Sequence, residues 1–184
     1  RDLRMQLRFT KMHGLGNDFV VARGIEPPTP ERIRALAERR TGIGFDQLLW
    51  LQEPRSSEMD VFYRVFNADG GEVEQCGNGA RCIARFLADE PINSGRRSWR
   101  LGFETGIAPA ELQPDGNVAV QIAVPDFSPA ALPMLAPDGQ QDHYSEMIAG
   151  VRVEFIAVSV GNPHAVITVA DVTTAPVAKW GPPL

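Results

Sequence analysis

Hydrophobic and polar positions along this chain alternate between strand and helix periods, and the switches mark out its elements. Met5 to Met12 and Phe19 to Ala22 read as strands. Between them, His13-Gly14-Leu15-Gly16-Asn17-Asp18 carries the glycines and asparagine of a tight turn with unusual dihedrals. Thr29-Pro30-Glu31 is a helix start, with threonine as cap and proline at the first position. The helix is expected to run to about Arg40 with Ile33, Leu36 and Ala37 inward, until Gly42-Ile43-Gly44 ends it. Asp46 to Leu51 resumes as a strand. Met59 to Phe66 is another, with Val61, Tyr63 and Val65 alternating with Phe62, Arg64 and Phe66. Asn67-Ala68-Asp69-Gly70-Gly71 is a hairpin-type turn. Ala80, Ile83, Ala84 and Leu87 then recur at helical spacing, while Cys82 and Phe86 add apolar surface on other sides. This predicts a helix buried nearly all round, starting just after Cys76 and stopped by Pro91.

Ser98 to Phe103, Ile107 to Gln113 and Val118 to Val124 form a meander with a Pro114-Asp115-Gly116 turn. The expectation is an α/β chain of the α+β type, with strands wrapped about the Cys76 helix over residues 5–124. From Pro125 to Asp142 the apolar period is lost amid prolines and a glycine, so residues 125–184 read as a crossover and the start of a second domain. Val151 to Val160 and His164 to Val169 are its strands, joined by Gly161-Asn162-Pro163. Two strands followed by Gly181-Pro182-Pro183-Leu184 leave a sheet with little to pack against, which predicts an incomplete second domain.

Composition narrows the classes. A 184-residue chain that is 43% hydrophobic can build a real core, and no run approaches the ~18 apolar residues of a membrane span. Net charge of −5 and the lack of a basic stripe argue against nucleic acid. Arg1 to Arg4 are polar and no secretory signal follows; Met5 looks like a natural start. Two cysteines six positions apart make no disulfide framework and fit a reducing cytoplasm.

The chemistry concentrates at Cys76-Gly77-Asn78-Gly79. A sulfur there sits at a helix N-terminus, where unpaired N–H groups and the helix dipole favour negative charge. The same N–H groups form an anion site, and the small Gly77 and Gly79 let a carboxylate come close. A lone cysteine is more often a core residue; the Gly-Asn-Gly directly after it favours the reactive reading. Asn17, Gln47 and Asn67 are polar side chains at strand edges. Asn162 offers donor and acceptor, and His164 can move a proton near neutral pH. The Cys-x5-Cys spacing is not that of a zinc site, so no metal is expected. A thiol hydrolase built on Cys76 and His164 stays open. Six helical residues are about 600° of rotation and about 9 Å of rise, so the two sulfurs cannot flank one small carbon. A two-thiol mechanism would need a partner other than Cys82.

Met12-His-Gly-Leu-Gly-Asn17-Asp-Phe19, Gly42-Ile-Gly-Phe-Asp-Gln47, Phe66-Asn67-Ala-Asp-Gly70, Glu74-Gln-Cys76-Gly-Asn-Gly-Ala-Arg-Cys82 and Gly161-Asn-Pro-His164, in that order, resemble the diaminopimelate epimerases. The resemblance implies two pseudo-symmetric domains, each a mixed or antiparallel sheet curled around a central helix, with substrate between them. It implies conversion of LL- to meso-diaminopimelate without pyridoxal phosphate, metal or other cofactor, in the cytoplasm, on the route to lysine and peptidoglycan. By resemblance Cys76 is one of two catalytic cysteines, and Gly77 and Asn78 hold the substrate α-carboxylate. Asn17, Gln47, Asn67 and Asn162 grip its amino and carboxylate groups, and His164 assists a thiol. The partner is the small-molecule substrate, neither nucleic acid nor membrane, and the resemblance is compatible with a homodimer. The family's second cysteine, its Glu-Arg pair and the C-terminal segment that completes the first domain are not found here. The expectation is a chain inactive by itself. A same-fold racemase or isomerase of another small acid, or a non-catalytic ligand-binding half-protein, remain as alternatives.

Overall fold

The computed structural model describes residues 7–184. Met5 and Gln6, the expected start of the first strand, and the stretch ahead of them lie outside the described residues. The chain forms two compact units, one ending at Ile122 and the other beginning at Ala123.

The first unit contains β1 (Phe9–Gly14), β2 (Asn17–Arg23), α1 (Pro30–Ala37), β3 (Gln47–Gln52), β4 (Val61–Asn67), β5 (Glu72–Val73), α2 (Gly77–Asp89), β6 (Ser98–Phe103), β7 (Gly106–Leu112) and β8 (Val118–Val120). They build one mixed sheet in the order β1-β2-β3-β4-β6-β7-β8, with β5 paired to β4. Among the described residues only β2/β3 and β4/β6 are parallel. Parallel neighbours need a crossover, and α1 and α2 supply one each.

The strand sequences divide between the sheet's two faces. Phe19, Val21, Leu49, Leu51, Val61, Tyr63 and Val65 pack on Ala80, Ile83, Ala84 and Leu87 of α2. Val20, Ala22, Leu48, Trp50 and Phe66 pack on Ile33 and Ala37 of α1 and on Phe45. Covering both faces is why β2 and β3 read as unbroken apolar runs. Helix α2 touches β1, β2, β6, β7 and β8, strands from opposite ends of the sheet order, so the sheet curls around it. The expected mixed sheet about a central helix is present.

Three expectations need correction. Helix α2 is not buried nearly all round: Arg85 and Asp89 are exposed and pair at 3.1 Å, one turn apart. Helix α1 ends at Ala37 rather than near Arg40 because the chain folds back on it. Ile43 and Gly44 donate to Leu36 O at 2.7 and 3.0 Å, and a Cβ on Gly42 would lie 2.4 Å from Ala35 O. The third concerns the second unit, which has three strands rather than two: β9 (Tyr144–Ile148), β10 (Val151–Ser159) and β11 (Pro163–Val166), with a one-turn α3 (Val177–Trp180). β10 is central. β9 reaches it through Ala149-Gly150, both at positive φ (50° and 79°). Alanine seldom occupies that region, so the sequence carried no hairpin signal. Leu132, Phe155 and Ala157 form this unit's core. No helix among the described residues is long and apolar enough to cross a membrane.

Candidate active site

Sheet register gathers the polar residues of the first unit. Asn17 opens β2, Gln47 opens β3 and Asn67 closes β4. Phe19 is the Cα partner of Gln47, and Gln47 of Asn67. All three therefore stand at one end of the sheet. Strand β1 finishes there too, with Gly14 opposite Asn17. Helix α2 starts beside it: a Cβ on Gly14 would lie 3.3 Å from Asn78 O.

Cys76 is the N-cap of α2, in extended backbone, and its side chain caps nothing. Its carbonyl accepts from Ala80 N at 2.9 Å. The first-turn N–H groups have no intrahelical partners. Cys76, Gly77 and Asn78 are half-buried, and a side chain on Gly77 would meet nothing within 4 Å. Gly79 plays another part than expected. It is buried, and a Cβ there would sit 2.9 Å from Leu49 Cδ2, so its small size lets α2 close onto the sheet.

Cys76 Sγ lies 4.0 Å from Asn17 Oδ1. Gln47 Nε2 donates to Asn67 Oδ1 at 2.8 Å, while Gln47 Oε1 is buried with no hydrogen-bond partner among the described residues. An acceptor left unpaired at that depth costs about 1–3 kcal/mol. Arg81 donates to Asn78 Oδ1. Beneath the cysteine, Tyr63 is buried. Its hydroxyl neighbours Gln75, and neither it nor Gln75 Nε2 has a well-formed hydrogen bond among the described residues. Burial above all, then the neighbouring Cys76, raises the Tyr63 phenol beyond its usual range. Cys82 is buried in the α2 core, and that burial pushes its thiol up to about 11.

Sequence reasoning missed the ionic cluster that holds Asn17. Asp46 Oδ2 accepts from Asn17 Nδ2 at 2.9 Å and from Asp18 N at 3.0 Å. Arg39 bridges the Asp46 and Asp18 carboxylates at 2.7 and 2.9 Å, and Lys11 reaches Asp18 at 2.7 Å. The Arg39 guanidinium, with Lys11, holds the Asp18 carboxyl well below the usual range against the opposing effect of burial. A charged residue directly ahead of the apolar β3 was the available signal. In the second unit, Asn162 Oδ1 lies 3.0 Å from His164 Nε2, and His164 is exposed on β11, opposite Val158 of β10.

The arrangement in the first unit offers a half-buried sulfur, an anion-binding helix tip and polar amides within one sheet end. A family model described as diaminopimelate epimerase matches residues 9–127. A diaminopimelate epimerase of Azoarcus sp. (strain BH72) is 51% identical over 180 residues, 96% of this chain and 64% of the relative. One of Laribacter hongkongensis (strain HLHK9) is 50% identical over 181 residues, 97% and 64% of the respective chains. The chain thus spans 64% of the length of these curated relatives. The crystal structure of a hydroxyproline epimerase from Agrobacterium vitis with bound trans-4-OH-L-proline matches with a TM-score of 0.67 and 15% identity, over 95% of this chain and 53% of that one. That likeness concerns the fold alone. By model and by sequence identity, the chain belongs to the diaminopimelate epimerase family.

Proposed function

We propose that this chain carries one half of a cofactor-independent epimerase site that interconverts LL- and meso-diaminopimelate. The observation that carries the reading is Cys76 at the uncapped tip of α2, beside Asn17, with the space over Gly77 open. Inverting a stereocentre requires removing the α-proton on one face and delivering one on the other, hence two opposed acid/base groups. Cys76 as thiolate takes the proton; the C–H electron pair remains on the substrate, delocalised into its carboxylate. The helix tip and Asn78 hold that carboxylate as charge builds on it. A thiol on the opposite face then gives a proton to the carbon.

That second thiol is not Cys82, which is buried and protonated across the working range. Gln47, Asn67 and Asn162 take the remaining polar groups of the substrate, and His164 assists an acid/base thiol. The same reading includes no pyridoxal phosphate or metal, a cytoplasmic location, and a homodimer as a compatible state. With one usable thiol, the 184-residue polypeptide by itself does not invert diaminopimelate.

The test joins this chain to the part of the Azoarcus relative that lies beyond the match. In deuterated water the fusion is expected to exchange the α-hydrogen of diaminopimelate and to leave proline, glutamate and lysine unlabelled. Exchange of another amino acid in preference to diaminopimelate would overturn the substrate assignment. Turnover by the 184-residue polypeptide alone would overturn the one-thiol argument.

A further inference from the structure

We propose that Asp46 is a positioning residue that fixes the polarity of the Asn17 carboxamide, so that an acceptor oxygen and not an N–H faces Cys76. This rests on the reading of Asn17 as a ligand-binding side chain of the Cys76 site. An ionised carboxylate can only accept. Each side-chain oxygen of Asp46 is engaged by donors: Oδ2 by Asn17 Nδ2 and Asp18 N, at 2.9 and 3.0 Å, and Oδ1 by Arg39 at 2.7 Å. Rotating the Asn17 amide by half a turn would set two acceptor oxygens 2.9 Å apart with no proton between them. The nitrogen is therefore held on the Asp46 side, and Oδ1 is left 4.0 Å from the sulfur.

An oxygen at that point accepts from a thiol or from the ammonium of an amino acid, and it repels a carboxylate. Asn78 is pinned in the opposite sense. Arg81, which can only donate, holds Asn78 Oδ1, so the amide nitrogen is the end turned away from it. Two charged side chains thus give two asparagines opposite polarity. An amino acid bound here is oriented with its carboxylate toward the α2 tip and its ammonium toward Asn17.

The reactivity of Cys76 reports on this directly. Tyr63 faces it from β4 and Cys82 from within α2; burial raises both, the thiol to about 11. Glu74, two residues earlier, is exposed, and His13 is exposed across from Asp18 in the β1/β2 pair. Arg39, Asp18 and, through Asp18, Lys11 surround Asp46.

The experiment measures the rate of Cys76 alkylation by iodoacetamide against pH in the 184-residue chain, read by mass spectrometry of the Cys76 peptide. Asp46→Ala removes the acceptor that holds Asn17 Nδ2, so the carboxamide is free to turn its N–H toward the sulfur, where it stabilises the thiolate. The midpoint is expected to fall by about one pH unit in Asp46→Ala and to stay in place in Asp46→Glu, which remains acceptor-only. Loss of the carboxylate charge lowers the midpoint too, so nuclear Overhauser effects of the Asn17 Hδ2 protons are read beside it, and they are expected to move from the Asp18 amide proton to Cys76 Hβ in Asp46→Ala. A folded Asp46→Ala with the parent's midpoint or the parent's Overhauser contacts, or equal shifts in both variants, overturns the proposal. If Asp46→Ala does not fold, nuclear Overhauser effects in the parent decide. Asn17 Hδ2 protons close to the Asp18 amide proton support it, and the same protons close to Cys76 Hβ refute it. Diaminopimelate enters none of these arms, so a wrong substrate assignment would leave their outcome untouched.

Discussion

Cys76 and Cys82 share one helix and have opposite surroundings. The first is half-buried at the tip with its sulfur uninvolved in capping; the second sits among Ile83, Ala84 and strand side chains of the core. Residue type and spacing made this contrast legible, because Gly77-Asn78-Gly79 announced a helix start and the i, i+3, i+4 pattern placed Cys82 inside it. Tyr63 was legible only as a strand residue. Its buried hydroxyl lies by the Gln75 amide without a well-formed hydrogen bond among the described residues, so deleting it removes chiefly a desolvated polar group. Tyr63→Phe is therefore expected to leave stability unchanged or raise it by up to about 1 kcal/mol in urea denaturation. A loss of more than about 1 kcal/mol would show that the hydroxyl is satisfied in solution. The Asp46–Asn17 contact was not legible, since it joins residues 29 apart in sequence through a loop whose course only the fold decides.

Among the elements, the parallel joint between β4 and β6 is braced by one carboxylate beside its backbone pairing. Asp60, just ahead of β4, accepts from Arg100 N at 2.7 Å and pairs with Arg96 at 2.6 Å and Arg100 at 3.2 Å. Burial works against its charge, yet the Arg96 and Arg100 hydrogen bonds outweigh it and bring the carboxyl from 3.8 down to about 2. A depressed folded value means that the unfolded chain binds the proton first as pH falls. The contribution is whole above pH 4 and is lost between about 4 and about 2. Asp60→Asn is expected to cost about 1–2 kcal/mol at neutral pH, with parent and variant converging near pH 2 in acid titrations of stability. A cost that persists undiminished at pH 2 would assign the effect to packing. Periodicity foresaw β4 and β6 but not their pairing, because α2 and its flanking turns intervene between them. It missed β9 for a local reason, the left-handed alanine of its hairpin.

At the scale of the whole molecule, the first unit explains why α2 can present a reactive end. The sheet wraps the helix body and buries Ala80, Ile83, Ala84 and Leu87, while the strand ends bearing Asn17, Gln47 and Asn67 gather beside the helix tip. Core and site are thus made by the same register, and a one-residue slip in β3 would turn Leu49 and Gln47 to the wrong face together. The alternation of apolar residues announced the strands but not which of them would lie side by side. The polarity of the amides, set by Asp46 and Arg81, could not be announced by any local pattern. If the sulfur of Cys76 moves the α-proton, as proposed, replacing it must slow the reaction without disturbing the fold. Conversion of LL- to meso-diaminopimelate, followed in the fusion with the Azoarcus segment with and without Cys76→Ser, is expected to fall by about 10²–10⁴-fold in the variant; undiminished conversion by a folded variant would rule that role out.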